Sequence, residues 1–153
     1  MTACNWWLMK SEPDVYGITH LSKEKATLWD GIRNYQARNF MRSMKTGDIS
    51  FFYHSNCKSP GIAGLMEIVQ THLVDPTQFD RDSKYFDPKS TKEKPRWDCV
   101  KVSFLKKFNY NLSLKQLKDI YNEDQLQILR KGNRLSITPV DKEIAENILN
   151  LVN

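Results

Sequence analysis

The clearest alternation in the chain runs from Cys99 to Phe108, where valines, Phe104 and Phe108 exchange places with lysines. A period of two places successive side chains on opposite faces, so this segment predicts a strand with one face buried and one wet. Further strands are predicted at Trp6–Lys10, at Ile49–Ser55 following the Gly47-Asp48 turn, and along a long run from Gly61 to Leu73. Leu135–Ile137 reads as a short fifth. The period lengthens between Tyr35 and Met44, where Phe40, Met41 and Met44 recur at helical spacing. Ser113-x-x-Gln116 is a capping box opening a helix over Leu114–Tyr121. After Asp141, a candidate cap, Ile144, Ile148, Leu151 and Val152 fall on one helical face, which should cover the core. From Asp75 to Pro95 the chain is polar and holds Pro76, Pro88 and Pro95, the pattern of a long loop, and loops of that length are often functional. This order of mixed strands and short helices predicts an α+β fold with a small barrel rather than a doubly wound sheet.

A chain of 153 residues fits one hydrophobic core, so residues 1–153 are expected to form a single domain. Hydrophobic residues at 40% and charged ones at 27% exclude disordered and fibrous classes. The excess of 23 Lys+Arg over 18 Asp+Glu, a net charge of +5, favours a polyanionic partner through long-range attraction and counterion release. From charge alone, nucleic-acid binding and a merely solvated surface carry equal weight. Cys4, Cys57 and Cys99 are odd in number and widely spaced, which argues against a disulfide framework or a structural zinc site and for reduced, intracellular thiols. The apolar run Trp6–Met9 is far shorter than a signal-peptide core or a membrane span, so neither export nor a membrane partner is expected. Gly61 and Gly64 form no GxGxxG or Walker loop, and neither a cofactor nor a metal is expected.

Polar residues gather at predicted strand ends and turns: Lys10-Ser11, Asn34-Tyr35 and Tyr53-His54-Ser55-Asn56. Trp29 and Trp97 stand beside them in polar company, within WDG and PRWD. A nucleobase needs flat π faces for stacking and a few fixed donors and acceptors for its edge, and Trp with Ser and Asn provides both. On the residues alone, a core-filling role for both indoles carries more weight. Arg33, Arg38, Arg42 and Lys45, with Lys106, Lys107, Arg130, Lys131 and Arg134 further on, suffice for a phosphate-tracking surface or for an ordinary solvated face. Catalytic patterns are thinner. His20, His54 and His72 are scattered, His54-x-x-Cys57 lacks an orienting third group, and Lys10 with Glu12 or Glu67 reads more simply as a salt bridge than as a nucleophile and acid pair.

Five longer stretches carry a resemblance: WLMKSEP (Trp7–Pro13), WDGIRNYQARNF (Trp29–Phe40), FFYHSNCKSPGIAGLMEIV (Phe51–Val69), KPRW (Lys94–Trp97) and RLSITPV (Arg134–Val140). In this order, and over nearly the whole chain, they resemble the EVE domain family. The resemblance implies a PUA-like fold, a small mixed β-barrel flanked by short helices, akin to YTH readers of methylated adenine and to ASCH domains. It implies a non-enzymatic module that flips a modified base of DNA or RNA, with a modified cytosine favoured, into an aromatic pocket; the chain is expected to act as a monomer. Carried over by motif, that pocket comprises Lys10, Ser11, Trp29, Asn34, Tyr35, Tyr53, Ser55, Asn56, Trp97 and Ser136. Within it Trp29 and Trp97 would stack, Ser11, Ser55 and Asn56 would bond the base edge, and Lys10 with Arg33, Arg38 or Arg134 would hold phosphate. Such a protein is expected in the cytoplasm of a bacterium, with the nucleus open to it in a eukaryote. The alternative is an ASCH-like hydrolase that removes an acyl group from a modified nucleoside, with Lys10 and Glu67 at the barrel mouth. Two departures stand out: Gly17 occupies the place of a helix-capping serine, leaving Thr19 as a substitute cap, and Thr138-Pro139-Val140-Asp141 lacks an acidic pair after Thr-Pro.

Overall fold

Trp7, Leu8 and Met9 are all buried although they alternate in direction, because both faces of their strand are covered. The computed structural model describes residues 4–152. Its six strands are β1 (Trp6–Ser11), β2 (Ala26–Trp29), β3 (Ile49–His54), β4 (Gly61–Val74), β5 (Asp98–Ser113) and β6 (Ile137–Val140). They form one sheet in the order β2-β5-β4-β3-β1-β6. The β1–β3 pair is parallel and the others are antiparallel.

Alternate residues of β1 and β3 feed two cores. Trp7, Met9 and Phe52 join one cluster with Met41, Met44 and Ile68, while Leu8, Phe51 and Tyr53 join the other with Leu117, Leu126 and Ile148. Helices α2 (Ile18–Glu24) and α3 (Tyr35–Ser43) contribute to the first cluster, and α4 (Leu114–Ile120) and α5 (Lys142–Val152) to the second. A short helix α1 (Pro13–Tyr16) precedes α2. No helix among the described residues is long and apolar enough to cross a membrane.

The α+β class and the mixed sheet agree with the sequence reading, but the barrel does not close: β2 and β6 are the two edges of the ladder and do not pair. The predicted strand at Leu135–Ile137 lies instead at Ile137–Val140, where Met9 faces Ile137 and Trp6 faces Val140. Its Pro139 is tolerated because an edge strand leaves one side unpaired. Strand β5 continues past Phe108 to Ser113, which caps α4 through the expected box: Ser113 Oγ accepts from Gln116 N at 3.1 Å and Gln116 Oε1 from Ser113 N at 2.9 Å. Strand β2 was not legible in the pattern, since Ala26–Trp29 spans only four residues. Cys4, Cys57 and Cys99 are free thiols.

Thr19 does not cap α2. The first helical N–H groups find histidines: Gly17 N donates to His20 Nδ1 at 2.8 Å and Ile18 N to His54 Nε2 at 3.1 Å. Thr19 Oγ1 accepts from Lys107 Nζ instead, at 3.2 Å. A neutral imidazole nitrogen serves as an acceptor where a serine hydroxyl would otherwise stand. Burial, and then the neighbouring charge of Lys107, hold the His54 pKa below its ordinary value. Its neutral form is therefore favoured by folding, and the stability it contributes is present above the unfolded pKa of about 6.5 and lost as pH falls through the lower folded value. Denaturant midpoints should consequently fall from pH 7.5 to pH 5 more steeply for the wild type than for His54→Gln, whose amide oxygen can accept the same bond at both pH values; parallel pH profiles would contradict this.

Asp48, only 2% exposed, ties the start of β1 to the turn before β3. Its carboxylate accepts from Asn5 N at 3.0 Å, Trp7 Nε1 at 3.0 Å and Lys45 N at 2.9 Å. Asp48→Ala leaves these donors without partners and should lower the free energy of unfolding by about 3 kcal/mol, measured by chemical denaturation. A loss under about 1 kcal/mol would show that water replaces the carboxylate.

Candidate functional site

Strands β1 and β3 run in parallel, so their chains leave the sheet at the same end, and a cleft of about 520 Å³ opens there. From β1 and its exit come Lys10, Ser11 and Glu12; from β3 comes Ser55. The end of β2 adds Trp29, Asp30, Gly31 and Ile32. Lys84 and Tyr85 enter from the long loop, Arg134 and Ser136 from the approach to β6, and Val15 from α1. Backbone bonds hold the parts together: Lys10 N donates to Ser136 O at 2.8 Å, and Ser55 N to Ser11 O at 3.0 Å. The volume lies in the range of small-ligand sites.

The wall carrying Trp29 and Tyr85 depends on Asp75, whose side chain is fully buried. Asp75 Oδ2 accepts from Gly31 N at 2.8 Å and from Arg33 Nη1 at 3.0 Å, while Oδ1 accepts from Thr77 N at 2.8 Å. Arg33 in turn reaches Tyr85 O through Nε at 3.0 Å and Nη2 at 2.7 Å, Thr77 Oγ1 at 3.0 Å and Ile32 O at 2.9 Å. The brace pulls Tyr85 onto the loop after β2 so closely that a Cβ on Gly31 would lie 2.7 Å from its ring. Gly31 also has φ of +80°, so glycine is required there on both counts.

Of the residues expected at the pocket, Lys10, Ser11, Trp29, Ser55, Ser136 and Arg134 line this cleft. The others lie elsewhere. Arg33, expected to hold phosphate, has all its N–H donors engaged within the protein. Trp97 is 5% exposed, donates its indole N–H to Asp87 Oδ2 at 2.7 Å, and is stacked by Tyr35 at 4.8 Å between ring centroids. It does not reach the cleft. Arg38 lies over the Tyr35 ring and donates to Arg96 O at 2.9 Å. Tyr53 is 2% exposed and packs within the second core, so it does not line the cleft. Asn34 caps α3 by accepting from Ala37 N at 2.9 Å, and Asn56 donates to Glu12 Oε1 at 2.5 Å across the cleft's outer side. The Lys10–Glu67 pair is not assembled: Lys10 sits beside Tyr53 at one end of β3, whereas Glu67 faces Ile49 at the other.

Asp30, Gly31, Lys84 and Tyr85 escaped the sequence reading. Asp30 and Gly31 directly follow Trp29 in the WDG motif, and Tyr85 is an aromatic inside a loop long enough to be functional, which are the local signals the chain carries for them.

The cleft's polar groups are largely unengaged. Among the described residues, the Lys10 ammonium, the Ser55 and Ser136 hydroxyls and the Arg134 guanidinium have no hydrogen-bonding or ion-pair partner, and the Asp30 carboxylate is bonded by no residue but its own backbone N–H. Burial lowers the Lys10 pKa. Asp30 is exposed as a residue, yet desolvation of its carboxyl against the wall, and then the charge of Asp75, raise its pKa. Trp29 is 7% exposed, with one edge against Phe52 in the core, and its indole N–H has no protein partner. Arg134 also borders a second groove of about 440 Å³ that holds Arg130, Lys131 and Asn133, so positive charge continues from the cleft mouth.

An open mixed sheet with a polar cleft at the shared end of its parallel strands is the architecture of a PUA-like EVE domain. The family model described as EVE domain matches residues 5–151, and the chain belongs to that family. Among its relatives is human thymocyte nuclear protein 1, 40% identical over 95% of this chain and 72% of that protein. A crystal structure of a Pseudomonas syringae protein superposes with a TM-score of 0.93 at 48% identity, covering 97% of this chain and 99% of that one. The crystal structure of human THYN1 protein in complex with 5-methylcytosine-containing DNA superposes with a TM-score of 0.91 at 40% identity, covering 97% and 98% of the two chains.

Replacing Arg33 by Met would strand the Asp75 carboxylate in the interior. We expect a loss of about 3 kcal/mol in unfolding free energy, together with faster amide exchange in residues 83–87, read by hydrogen-exchange mass spectrometry. Unchanged exchange there would mean that Tyr85 is held by other contacts.

Proposed function

We propose that the cleft reads a single modified base of DNA, a 5-methylcytosine being the favoured ligand, and performs no chemistry on it. The observation that carries this reading is the set of unengaged polar groups beside an aromatic wall, in a chain whose relative human THYN1 was crystallised with 5-methylcytosine-containing DNA. A flipped base stacks on Tyr85 and the accessible edge of Trp29, a kind of contact worth roughly 1–3 kcal/mol per base. Lys10, Ser55 and Ser136 bond its polar edge, and Ser11 adds an acceptor, because its own hydroxyl proton is donated to Tyr16 O at 2.6 Å. Arg134, with Arg130 and Lys131 along the adjoining groove, follows the phosphates. Every group named belongs to one chain, so a monomer suffices, and a nucleic-acid ligand sets the place of action inside the cell. Trp97 acts in this scheme by holding the long loop through Asp87, not by stacking a base.

Trp29 packs into the core, so Trp29→Ala would confound folding with binding. Tyr85→Ala is the cleaner variant, because the Arg33 hydrogen bonds go to the main-chain oxygen of Tyr85 and survive the change, leaving only cation–π contacts from Arg33 and Lys84 to be lost. With fluorescent oligonucleotides carrying one 5-methylcytosine, this variant should bind about tenfold more weakly or worse at an unchanged melting temperature. Arg134→Ala should weaken all sequences alike and reduce the slope of log affinity against log salt by about one unit. Equal affinity for methylated and unmodified cytosine, together with no effect of Tyr85→Ala, would refute the reading; an RNA arm of the same titration tests the choice of DNA.

A further inference from the structure

We infer that Asp30 selects the base admitted to the cleft by accepting a hydrogen bond from an exocyclic amino group, so that cytosine-type bases are taken and thymine- or uracil-type bases refused. This rests on the base-reading function proposed above and names the residue that sets its chemical preference. The lining is unbalanced in its hydrogen-bonding character. Lys10, Arg134, Ser55 and Ser136 offer donors, whereas the carboxylate of Glu12 already receives the Asn56 amide at 2.5 Å. Asp30 is then the one lining carboxylate, among the described residues, that no other residue hydrogen-bonds; only its own backbone N–H reaches it, and lone pairs remain for a ligand. An ionised carboxylate only accepts. Cytosine presents an amino group at its 4-position beside acceptors at N3 and O2, a donor-acceptor-acceptor edge that an Asp30 acceptor and the Lys10 and serine donors complement. Thymine carries a carbonyl at that position and a donor at N3, so the same wall sets oxygen against oxygen and leaves a donor unanswered.

The placement of Asp30 is fixed by the fold. It lies between Trp29, anchored in the core, and Gly31, whose N–H is held by buried Asp75 at 2.8 Å. The residue is therefore oriented before any ligand arrives, which reduces the entropy lost on binding. Asp75 is itself engaged by Arg33, Thr77 and Gly31, so it restrains the loop without competing for the ligand. The partial burial of the site, and then the charge of Asp75, disfavour the Asp30 anion. An amino group bonded there relieves that cost.

Thymine is 5-methyluracil, so it shares the methyl group of 5-methylcytosine and differs only on the edge that Asp30 would read. The test uses duplexes identical but for this base, with the target placed opposite an abasic site so that neither base must break a pair. The wild type should prefer 5-methylcytosine to thymine by about ten- to a hundredfold. Asp30→Asn, whose amide can both donate and accept, should bring the ratio close to one, and Asp30→Ala should lower 5-methylcytosine affinity while raising thymine affinity, since the opposing oxygen is gone. The side chain is exposed and bonded by no other residue, so both variants should melt as the wild type does. A ratio unchanged in Asp30→Asn overturns the inference, as does an equal rise in affinity for every base, which would mark Asp30 as a general repeller of phosphate. Unmodified cytosine and uracil form a second pair. If cytosine binds as well as 5-methylcytosine while the Asp30-dependent preference over uracil persists, the reading of the modification fails and the role of Asp30 stands.

Discussion

The site depends on one buried carboxylate. Asp75 is sealed from solvent, and burial of an ionised side chain is tolerable only when its oxygens are fully answered. Here the answers come from two distant parts of the chain: Gly31 and Arg33 after β2, and Thr77 within its own loop. The electrostatic demand of a single group thereby joins the WDG segment to residues 75–85. The long loop becomes a wall of the cleft because Arg33 extends from that pair to the carbonyl of Tyr85. The same logic operates at the far edge of the loop, where Asp87 receives the Trp97 indole and is held below the usual carboxylate pKa chiefly by that bond.

Around this brace the sheet supplies position and the helices supply cover. Parallel pairing of β1 with β3 brings two chain exits to one end, and the two cores on opposite faces keep those strands from shifting register. A slip of one residue would exchange Trp7 and Met9 with Leu8 between clusters of different shape. Lys10, Ser11 and Ser55 hold their places at the cleft floor for that reason. The Lys10 ammonium and the Ser55 hydroxyl remain unengaged there, while the Ser11 hydroxyl donates to Tyr16 O.

Long periodic segments were legible in the chain itself. The alternation from Cys99 to Phe108 and the helical spacing in α3 and α5 reflect local rules of burial, and the Ser113 capping box reads directly from four consecutive residues. Shorter features were not. Strand β2 is too brief to show a period, and the cap of α2 comes partly from His54, which lies on another strand. The tryptophans divided in the same manner. Trp29 and Trp97 both sit in polar sequence, yet Trp29 borders the cleft while Trp97 is occupied by Asp87, Tyr35 and the arginines stacked on it.

What the amino-acid order alone determined was the α+β class, most of the elements, the basic character and, through five ordered motifs, the family. Those properties are carried by composition and by neighbours close in the chain. Which arginine is structural and which is left for a ligand, and whether a carboxylate is engaged or waiting, was decided by contacts across more than forty positions, such as Arg33 with Asp75 and Asn56 with Glu12. A side chain's availability depends on the partners that folding brings to it, and no local pattern records them.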